Sequence, residues 1–275
     1  MLFLAITGLL IVSLLAGVGT SVTTQRYRDS VQSLQSLIQA QYSNLVNVSN
    51  DQNASAATQT KNAPWICNSD GTISNTGDTN AGATRGQSQC VLLGRYMDID
   101  AKGNITIEPI TGTQIGTNTA TNNDIQSLES NYALGLSNIN VQTSSMEWGA
   151  TLSWPVSGSG SEPVQSGTRS IALLFVRSPD SGTIYTFTVD TPPDISAVTS
   201  ADLLQYIKSG ANVSQAYNGA TIRGQDERVL CVQSSSANLG GHIAVYLNPY
   251  ASDATAVETQ SNDLLTQLKS GALQC

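Results

Sequence analysis

The amino terminus constrains this chain most, because a long uncharged apolar run passes directly into an amphipathic helical pattern. Met1 to Thr24 contains no charged side chain and is mostly apolar. At about 1.5 Å of rise per residue, a helix over this run reaches roughly 36 Å, which exceeds the roughly 30 Å hydrocarbon core of a bilayer. The run therefore predicts a helix that can span a membrane.

The continuation of this helix has a different pattern. Apolar residues recur at steps of three and four, which places one apolar stripe on a helix whose other faces are polar. The stripe consists of Tyr27, Val31, Leu34, Ile38, Tyr42 and Leu45, and the polar faces carry Gln32, Gln35, Gln39 and Gln41. We therefore divide the chain into an N-terminal helix, residues 1–50, and a β-rich extracellular domain with disulfide-bounded loops, residues 51–275.

The four cysteines indicate an oxidising compartment. Cys67, Cys90, Cys231 and Cys275 form an even set without a C-x-x-C spacing, which suits two disulfides. Three pairings are open, and local closure favours Cys67 with Cys90 and Cys231 with Cys275. A zinc site is the alternative, but zinc ligands usually come in close pairs and His242 is the single histidine.

Two simpler interpretations of the terminus are a cleaved signal peptide and a plain membrane anchor. A signal peptide has a basic start and a shorter apolar core, whereas no charge precedes Arg26 here. A plain anchor conflicts with the positive-inside rule, because Arg26 and Arg28 follow the span and would keep the large domain in the cytoplasm. Disulfides are rare in that compartment.

The run Leu4-Ala5-Ile6-Thr7-Gly8-Leu9-Leu10 resembles the N-terminal helix of type IV pilins and of the pseudopilins of type II secretion systems. The Cys231 and Cys275 pair is similar to the C-terminal disulfide-bounded loop of many type IV pilins. The resemblance implies a pilin-like α+β fold, in which a long helix, transmembrane in its first half and amphipathic in its second, packs on an antiparallel β-sheet domain. It also implies filament assembly through Leu4, Ala5, Ile6, Gly8, Leu9, Leu10, Ile11, Leu14, Leu15, Gly17 and Gly19.

The resemblance further implies a structural role and no enzymatic activity. The expected protein is membrane-anchored with an extracytoplasmic domain until it polymerises with its own copies into a cell-surface filament (fimbrium) for adhesion and twitching motility. A prepilin peptidase, an inner-membrane platform, N-terminal methylation and contact with host or neighbouring cells belong to the same expectation. The alternatives are a minor pseudopilin of a secretion or DNA-uptake machine and a monomeric membrane-anchored binding protein.

The chain departs from the family pattern at its start. Family members carry a short basic leader and a glutamate at the fifth mature position, and neither is present here. If Ala5 to Gly8 are in register, the chain starts about six residues inside the mature helix, and a native protein that lacks the glutamate is the alternative. The glycines from Gly8 to Gly19 predict local unwinding in an assembled filament, or else simply close approach of neighbouring helices.

Several segments of the domain have strand or helix patterns. A hairpin is predicted from Cys90 to Asp98 and from Asn104 to Glu108, around an Asp100–Gly103 turn. Further strands fit residues 147–156, 168–177, 182–189, 228–233 and 242–248. Helices are predicted over residues 201–208 and 254–270.

Composition and motifs point away from catalysis and nucleic acid. With 20 acidic and 12 basic side chains, the formal charge is −8, so phosphate backbones are disfavoured partners. There is no P-loop, no dinucleotide fingerprint and no Gly-x-Ser-x-Gly motif. The Asp98–Glu108 segment loosely resembles a calcium loop, but Lys102 occupies a ligand position and a hairpin turn is favoured. No cofactor is predicted, and calcium remains a possibility that the sequence does not demonstrate.

Overall fold

The computed structural model describes residues 2–46, 66–67, 73–74, 90–115, 123–138, 140–155, 167–211, 215–217, 220–223, 228–234, 243–248, 251–261 and 275. The first element, α1 (Leu2–Val46), is one continuous helix of 45 residues that passes through Gly8, Gly17 and Gly19 without a break. The predicted unwinding at these glycines concerns an assembled filament and stays a prediction. The described residues form an α+β arrangement in which this long helix meets antiparallel sheets.

Two further helices and fourteen strands follow within the described residues. The helices are α2 (Asp124–Asn131) and α3 (Ser200–Ala211). The strands are β1 (Ile66–Cys67), β2 (Ile73–Ser74), β3 (Cys90–Ile99), β4 (Asn104–Gln114), β5 (Tyr132–Leu136), β6 (Gln142–Ser145), β7 (Thr151–Ser153), β8 (Ile171–Arg177), β9 (Ile184–Asp190), β10 (Gln215–Tyr217), β11 (Ala220–Arg223), β12 (Arg228–Gln233), β13 (Ile243–Leu247) and β14 (Val257–Ser261).

The main sheet contains eight of these strands, and all its neighbouring strands are antiparallel. Its order is β10-β11-β9-β8-β3-β4-β5, with β6 also paired to β4. A second sheet has the order β14-β13-β12-β7, and β1 pairs with β2. Four of the predicted strands therefore lie in the main sheet as β3, β4, β8 and β9, and β12 and β13 occupy the two predicted strand positions near the C-terminus.

The predicted β3–β4 hairpin is confirmed, and Asp100 holds its turn. The Asp100 carboxylate oxygen Oδ1 accepts hydrogen bonds from the backbone N–H groups of Lys102 and Asn104, both at 2.8 Å. Gly103 has φ +83°, a left-handed conformation that glycine adopts without steric cost. A Cβ at this position would also lie 2.4 Å from the carbonyl oxygen of Ala150. The segment that loosely resembles a calcium loop is therefore built as a tight turn.

The second half of α1 supplies part of the core on one face of the main sheet. All six residues of the predicted apolar stripe are at most 6% exposed, so the amphipathic prediction is confirmed. They pack with residues of both sheets in one cluster. The Tyr42 ring meets the edge of Phe175 at 5.0 Å between centroids, and its hydroxyl lies 2.8 Å from that of Thr186. The helix and the sheets therefore share one core, although the sequence pattern separates residues 1–50 from the rest.

The other face of the main sheet is covered by α2 and α3, which form a second core with it. The predicted helix at residues 201–208 is confirmed within α3. Its start is capped reciprocally, because Thr199 N–H donates to Asp202 Oδ2 at 2.9 Å and Asp202 N–H donates to Thr199 Oγ1 at 3.3 Å. Asn123 caps α2 by accepting from Gln126 N–H at 2.8 Å. The sheet is thus enclosed on both sides.

The predicted helix over residues 254–270 is wrong in the part that the structure describes. Ala254–Ala256 form a single 3-10 turn, after which the chain continues as strand β14. Val257 is 2% exposed, pairs with Leu247 on β13 and accepts a hydrogen bond from the Gln35 side chain at 3.1 Å. Pairing and burial therefore prevail over the helical propensity of this segment. Residues 262–270 lie outside the described residues.

A buried ion pair joins the two sheets. The Arg169 guanidinium contacts the carboxylate of Asp190 at the end of β9, with Nε 3.1 Å from Oδ1. Its Nη1 also donates to the carbonyl oxygen of Val229 on β12 at 2.8 Å, and the guanidinium lies 5.1 Å from the centre of the Trp154 ring. Arg169 and Asp190 are each 6% exposed. One side chain therefore connects the main sheet to the second sheet.

The carboxyl group of Asp98 on β3 should make the stability of the fold depend on pH. Burial, together with the carboxylates of Asp100 and Asp194, raises the pKa of Asp98 to about 7. The pKa of an unfolded aspartate is about 3.9, so between these two pKa values the folded state binds more protons than the unfolded state. We expect this group to lower the free energy of unfolding as pH rises from about 4 to about 7, and Asp98→Asn to remove that component.

Urea unfolding of the full chain in detergent at pH values from 4.5 to 7.5, read by circular dichroism, measures this dependence. Asp253→Asn is the matched control. Hydrogen bonds from Thr255 lower the pKa of Asp253, so its contribution changes below about pH 4 and the slope above pH 4.5 should equal that of the wild type. An Asp98→Asn variant with the wild-type slope would contradict the assignment.

Candidate membrane and assembly helix

The first half of α1 makes few contacts with the rest of the chain. Nine of its large apolar side chains are between 38% and 72% exposed, whereas the stripe in the second half is buried. These nine are Ile6, Leu9, Leu10, Ile11, Val12, Leu14, Leu15, Val18 and Val22. One helix therefore has a half that is buried in the domain and a half whose large apolar side chains stay exposed.

The exposed apolar surface surrounds this half of the helix. The four consecutive residues from Leu9 to Val12 are each at least 60% exposed. Because successive helical residues point about 100° apart, these four side chains reach all sides of the helix. A helix that is apolar all round suits lipid or a bundle of similar helices rather than one docking face.

Four hydroxyl side chains of this half are satisfied within the helix. The hydroxyl groups of Ser13, Thr20, Thr23 and Thr24 each donate to a backbone carbonyl oxygen three or four residues earlier, at 2.9–3.0 Å. In hydrocarbon an unsatisfied polar group costs several kcal/mol. These hydroxyls therefore do not oppose placement in an apolar surrounding.

The glycines of this half leave open space. A Cβ built on Gly8, Gly17 or Gly19 would meet no atom within 4 Å. No contact within the described chain therefore requires glycine at these positions. Small residues on an apolar helix let the backbone of a neighbouring helix approach closely.

All residues of the predicted assembly set lie on this half of α1. The helix contains Leu4 and Ala5, whose side chains lie outside the described residues. The other nine are Ile6, Gly8, Leu9, Leu10, Ile11, Leu14, Leu15, Gly17 and Gly19, and each apolar side chain among them is at least half exposed. Their role in filament assembly stays a prediction.

By length and composition, α1 can cross a membrane. Among the described residues it is the one helix that combines sufficient length with sufficient apolar character, and none of its most apolar stretch is buried within the chain. The transmembrane character expected from the sequence is therefore present in the helix. Arg26 is the first charged side chain after this stretch.

A tight turn lies beside the point where the apolar half ends. The predicted strand at residues 147–156 is wrong at its start, because Glu147–Gly149 form a 3-10 turn and only β7 follows as a strand. Trp148 has φ +58° and is 55% exposed, and the Arg26 guanidinium lies 4.7 Å from the centre of its ring. Glu147 accepts a hydrogen bond from the Ser33 hydroxyl at 3.1 Å. Sequence reasoning did not identify the contact between Arg26 and Trp148.

The C-terminal disulfide is present as predicted. Cys231 and Cys275 are bonded, with 5.3 Å between their Cα atoms, and Cys231 is fully buried on β12. Cys90 is also disulfide-bonded. The side chain of its predicted partner, Cys67, lies outside the described residues. The bond between Cys231 and Cys275 fixes Cys275 to the second sheet.

The described residues contain no cluster of metal ligands. Within the part of the chain that the structure describes, no three His, Cys, Asp or Glu side chains are close enough together to hold a metal ion. His242 lies outside the described residues. No protein-family model, curated protein or solved structure matches the chain.

Proposed function

We propose that the chain is a structural subunit of a type IV pilus-like filament, held in the membrane by the first half of α1 until it assembles. The observation that carries this proposal is the division of α1 into an exposed apolar half and a buried amphipathic half. A single rigid element thereby links a membrane-compatible surface to a folded domain.

The exposed half is too apolar to stay in water. Full burial of one large exposed apolar side chain contributes about 1.5–3 kcal/mol, and because these nine are between 38% and 72% exposed they amount together to roughly 8–16 kcal/mol. Net stabilities of domains are about 5–15 kcal/mol. The driving force that removes this helix from water is therefore of the same order as the net stability of a folded domain.

Assembly keeps the same half in an apolar surrounding. On leaving the bilayer, the helix exchanges lipid for the helices of other copies, and the internally satisfied hydroxyls and open glycine positions permit close packing. The domain then forms the outside of the filament, where its polar loops meet host or neighbouring cells. A prepilin peptidase and an inner-membrane assembly platform are the partners that such a subunit requires.

The bonded cysteines support the proposed location of the domain. Disulfides form and persist in oxidising compartments, which supports an extracytoplasmic location for the domain. In this arrangement the apolar half spans the membrane before assembly, and adhesion and motility are the proposed uses of the finished filament.

A monomeric membrane-anchored binding protein is the second candidate. It is favoured by the apolar surface on all sides of the helix, because this surface suits lipid as well as it suits other helices. A minor pseudopilin shares the same helix but is scarce in any fibre.

Electron cryo-microscopy of fibres sheared from cells that make the chain separates these functions. A helical core of bundled α1 helices with the domain outside supports the proposed major subunit. Fibres without this chain, together with retention of the chain in the membrane fraction, would favour the anchor or the minor pseudopilin.

A further inference from the structure

We propose that Trp148, stacked on Arg26, is a membrane-interface anchor that fixes how deeply the chain sits in the bilayer before assembly. The occupant of this surface is the headgroup region of the lipid bilayer. The inference rests on the membrane-held state in the proposed function, and it adds the part of the domain that touches the lipid.

The position of the pair along α1 fits this role. From Leu2 to Arg26 the helix rises roughly 36 Å, at about 1.5 Å per residue, whereas the hydrocarbon core is about 30 Å thick. Arg26 is the first charged residue after the apolar half, so the hydrocarbon boundary falls just before it. The Trp148 ring lies close to this level, because the guanidinium carbon of Arg26 is 4.7 Å from its centre.

The turn that carries Trp148 is fixed from both sides. Met146 and Ala150 are buried at 6% and 2% exposure, and Met146 N–H donates to the Gly103 carbonyl oxygen at 2.8 Å. Between them, Trp148 has a left-handed backbone, which an L-amino acid with a bulky side chain adopts only when its surroundings impose it. The fold therefore holds a large aromatic side chain outward, at 55% exposure.

The chemistry of the pair matches a headgroup. Tryptophan concentrates at membrane interfaces because its ring is apolar and its indole N–H is a donor. The guanidinium of Arg26 can pair with lipid phosphate. Beside them, Ser30 is 1% exposed and its hydroxyl has no hydrogen-bond partner among the described residues, and Ser30 lines the same cleft as Arg26 and Trp148.

Glu147 lines the same cleft as Arg26, but its carboxylate is held on the domain side by a contact farther along α1. Glu147 contacts Ser33, which is seven residues beyond Arg26 and hence roughly 10 Å farther along the helix from the lipid. A neighbouring copy's apolar helix would be a poorer partner for this surface, since burial of Arg26 against it would leave the charge uncompensated.

Depth-dependent fluorescence quenching tests the anchor. The full chain is reconstituted into phosphatidylcholine vesicles whose acyl chains are brominated either near the headgroup or near the chain end, and membrane retention is checked by co-sedimentation. We expect shallow bromine to quench more than deep bromine, and Trp148→Phe to remove most of this quenching. Trp154→Phe is the matched control, because Trp154 stacks on Arg169 within the domain.

Two results would overturn the inference. If the chain sediments with the vesicles and Trp148→Phe leaves the quenching unchanged, Trp148 is not at the interface, while the membrane-held filament subunit still stands. The same result is expected if Trp148 is covered only in assembled fibres, where it would form a contact between copies. If the chain does not sediment with the vesicles, the membrane-held state itself fails and the anchor fails with it.

Discussion

Replacement of Leu14 by arginine should reduce the fibre yield to background and lower the fraction of the chain that stays in the membrane. Leu14 is 67% exposed near the middle of the apolar half of α1. On insertion scales, the change from leucine to arginine at a helix centre costs about 3–4 kcal/mol, which is more than a hundredfold in an equilibrium. Between Leu14 and Asp29 there is no acidic side chain to compensate the charge.

Fibre yield after shearing and resistance to alkaline extraction from membranes are the two measurements. Val91→Arg is the matched control, because Val91 is 49% exposed on β3 of the domain and lies outside the helix. It should leave both measurements near the wild-type values. Normal fibres from the Leu14→Arg chain would contradict the proposed role of the helix, whereas lost fibres with unchanged membrane retention would locate the effect in helix packing.

Replacement of Asp190 by alanine should lower the free energy of unfolding by about 3–5 kcal/mol, because it leaves the buried Arg169 guanidinium without its carboxylate. This is a large part of a typical total of about 5–15 kcal/mol. The contact with Val229 should also weaken, since the guanidinium is then free to shift. Urea unfolding of the full chain in detergent measures the change.

The double variant Arg169→Met with Asp190→Leu is the control for this prediction. Removal of both charges leaves no uncompensated ion, so we expect the double variant to be clearly more stable than the single variant Asp190→Ala. If the double variant is as unstable as the single one, the loss comes from packing and not from the unpaired charge. If Asp190→Ala changes stability by less than about 1 kcal/mol, the pair does not hold the sheets together.

Sequence reasoning recovers the elements that have a strong period or an unambiguous turn. The stripe from Tyr27 to Leu45 repeats at helical spacing, and every member of it is buried in the core. The β3–β4 hairpin is readable because Asp100 and Gly103 provide the side-chain acceptor and the left-handed residue of a tight turn. In both cases local chemistry and tertiary packing favour the same structure.

Other elements depend on contacts that the local sequence does not contain. The segment after Ala254 has helix-forming residues, but its backbone pairs with β13 and Val257 enters the core. The short helix α2 has eight residues, which is too few for a clear period. The sequence pattern does not predict the turn at Trp148, because the positive φ of a non-glycine residue is imposed by its surroundings.

The burial of the second half of α1 also has a mechanical consequence. Tyr27 at one end of the stripe donates its hydroxyl proton to the Val232 carbonyl oxygen at 2.8 Å and accepts from Ile243 N–H at 2.7 Å, so it bridges β12 and β13. At the other end, Tyr42 meets Phe175 on β8. A force along the helix axis would act on the contacts of Tyr27 and Tyr42 at the same time, in shear. It would not separate the strands from the sheet one after another. The domain would resist tension as a unit and slip only when the whole stripe leaves the core.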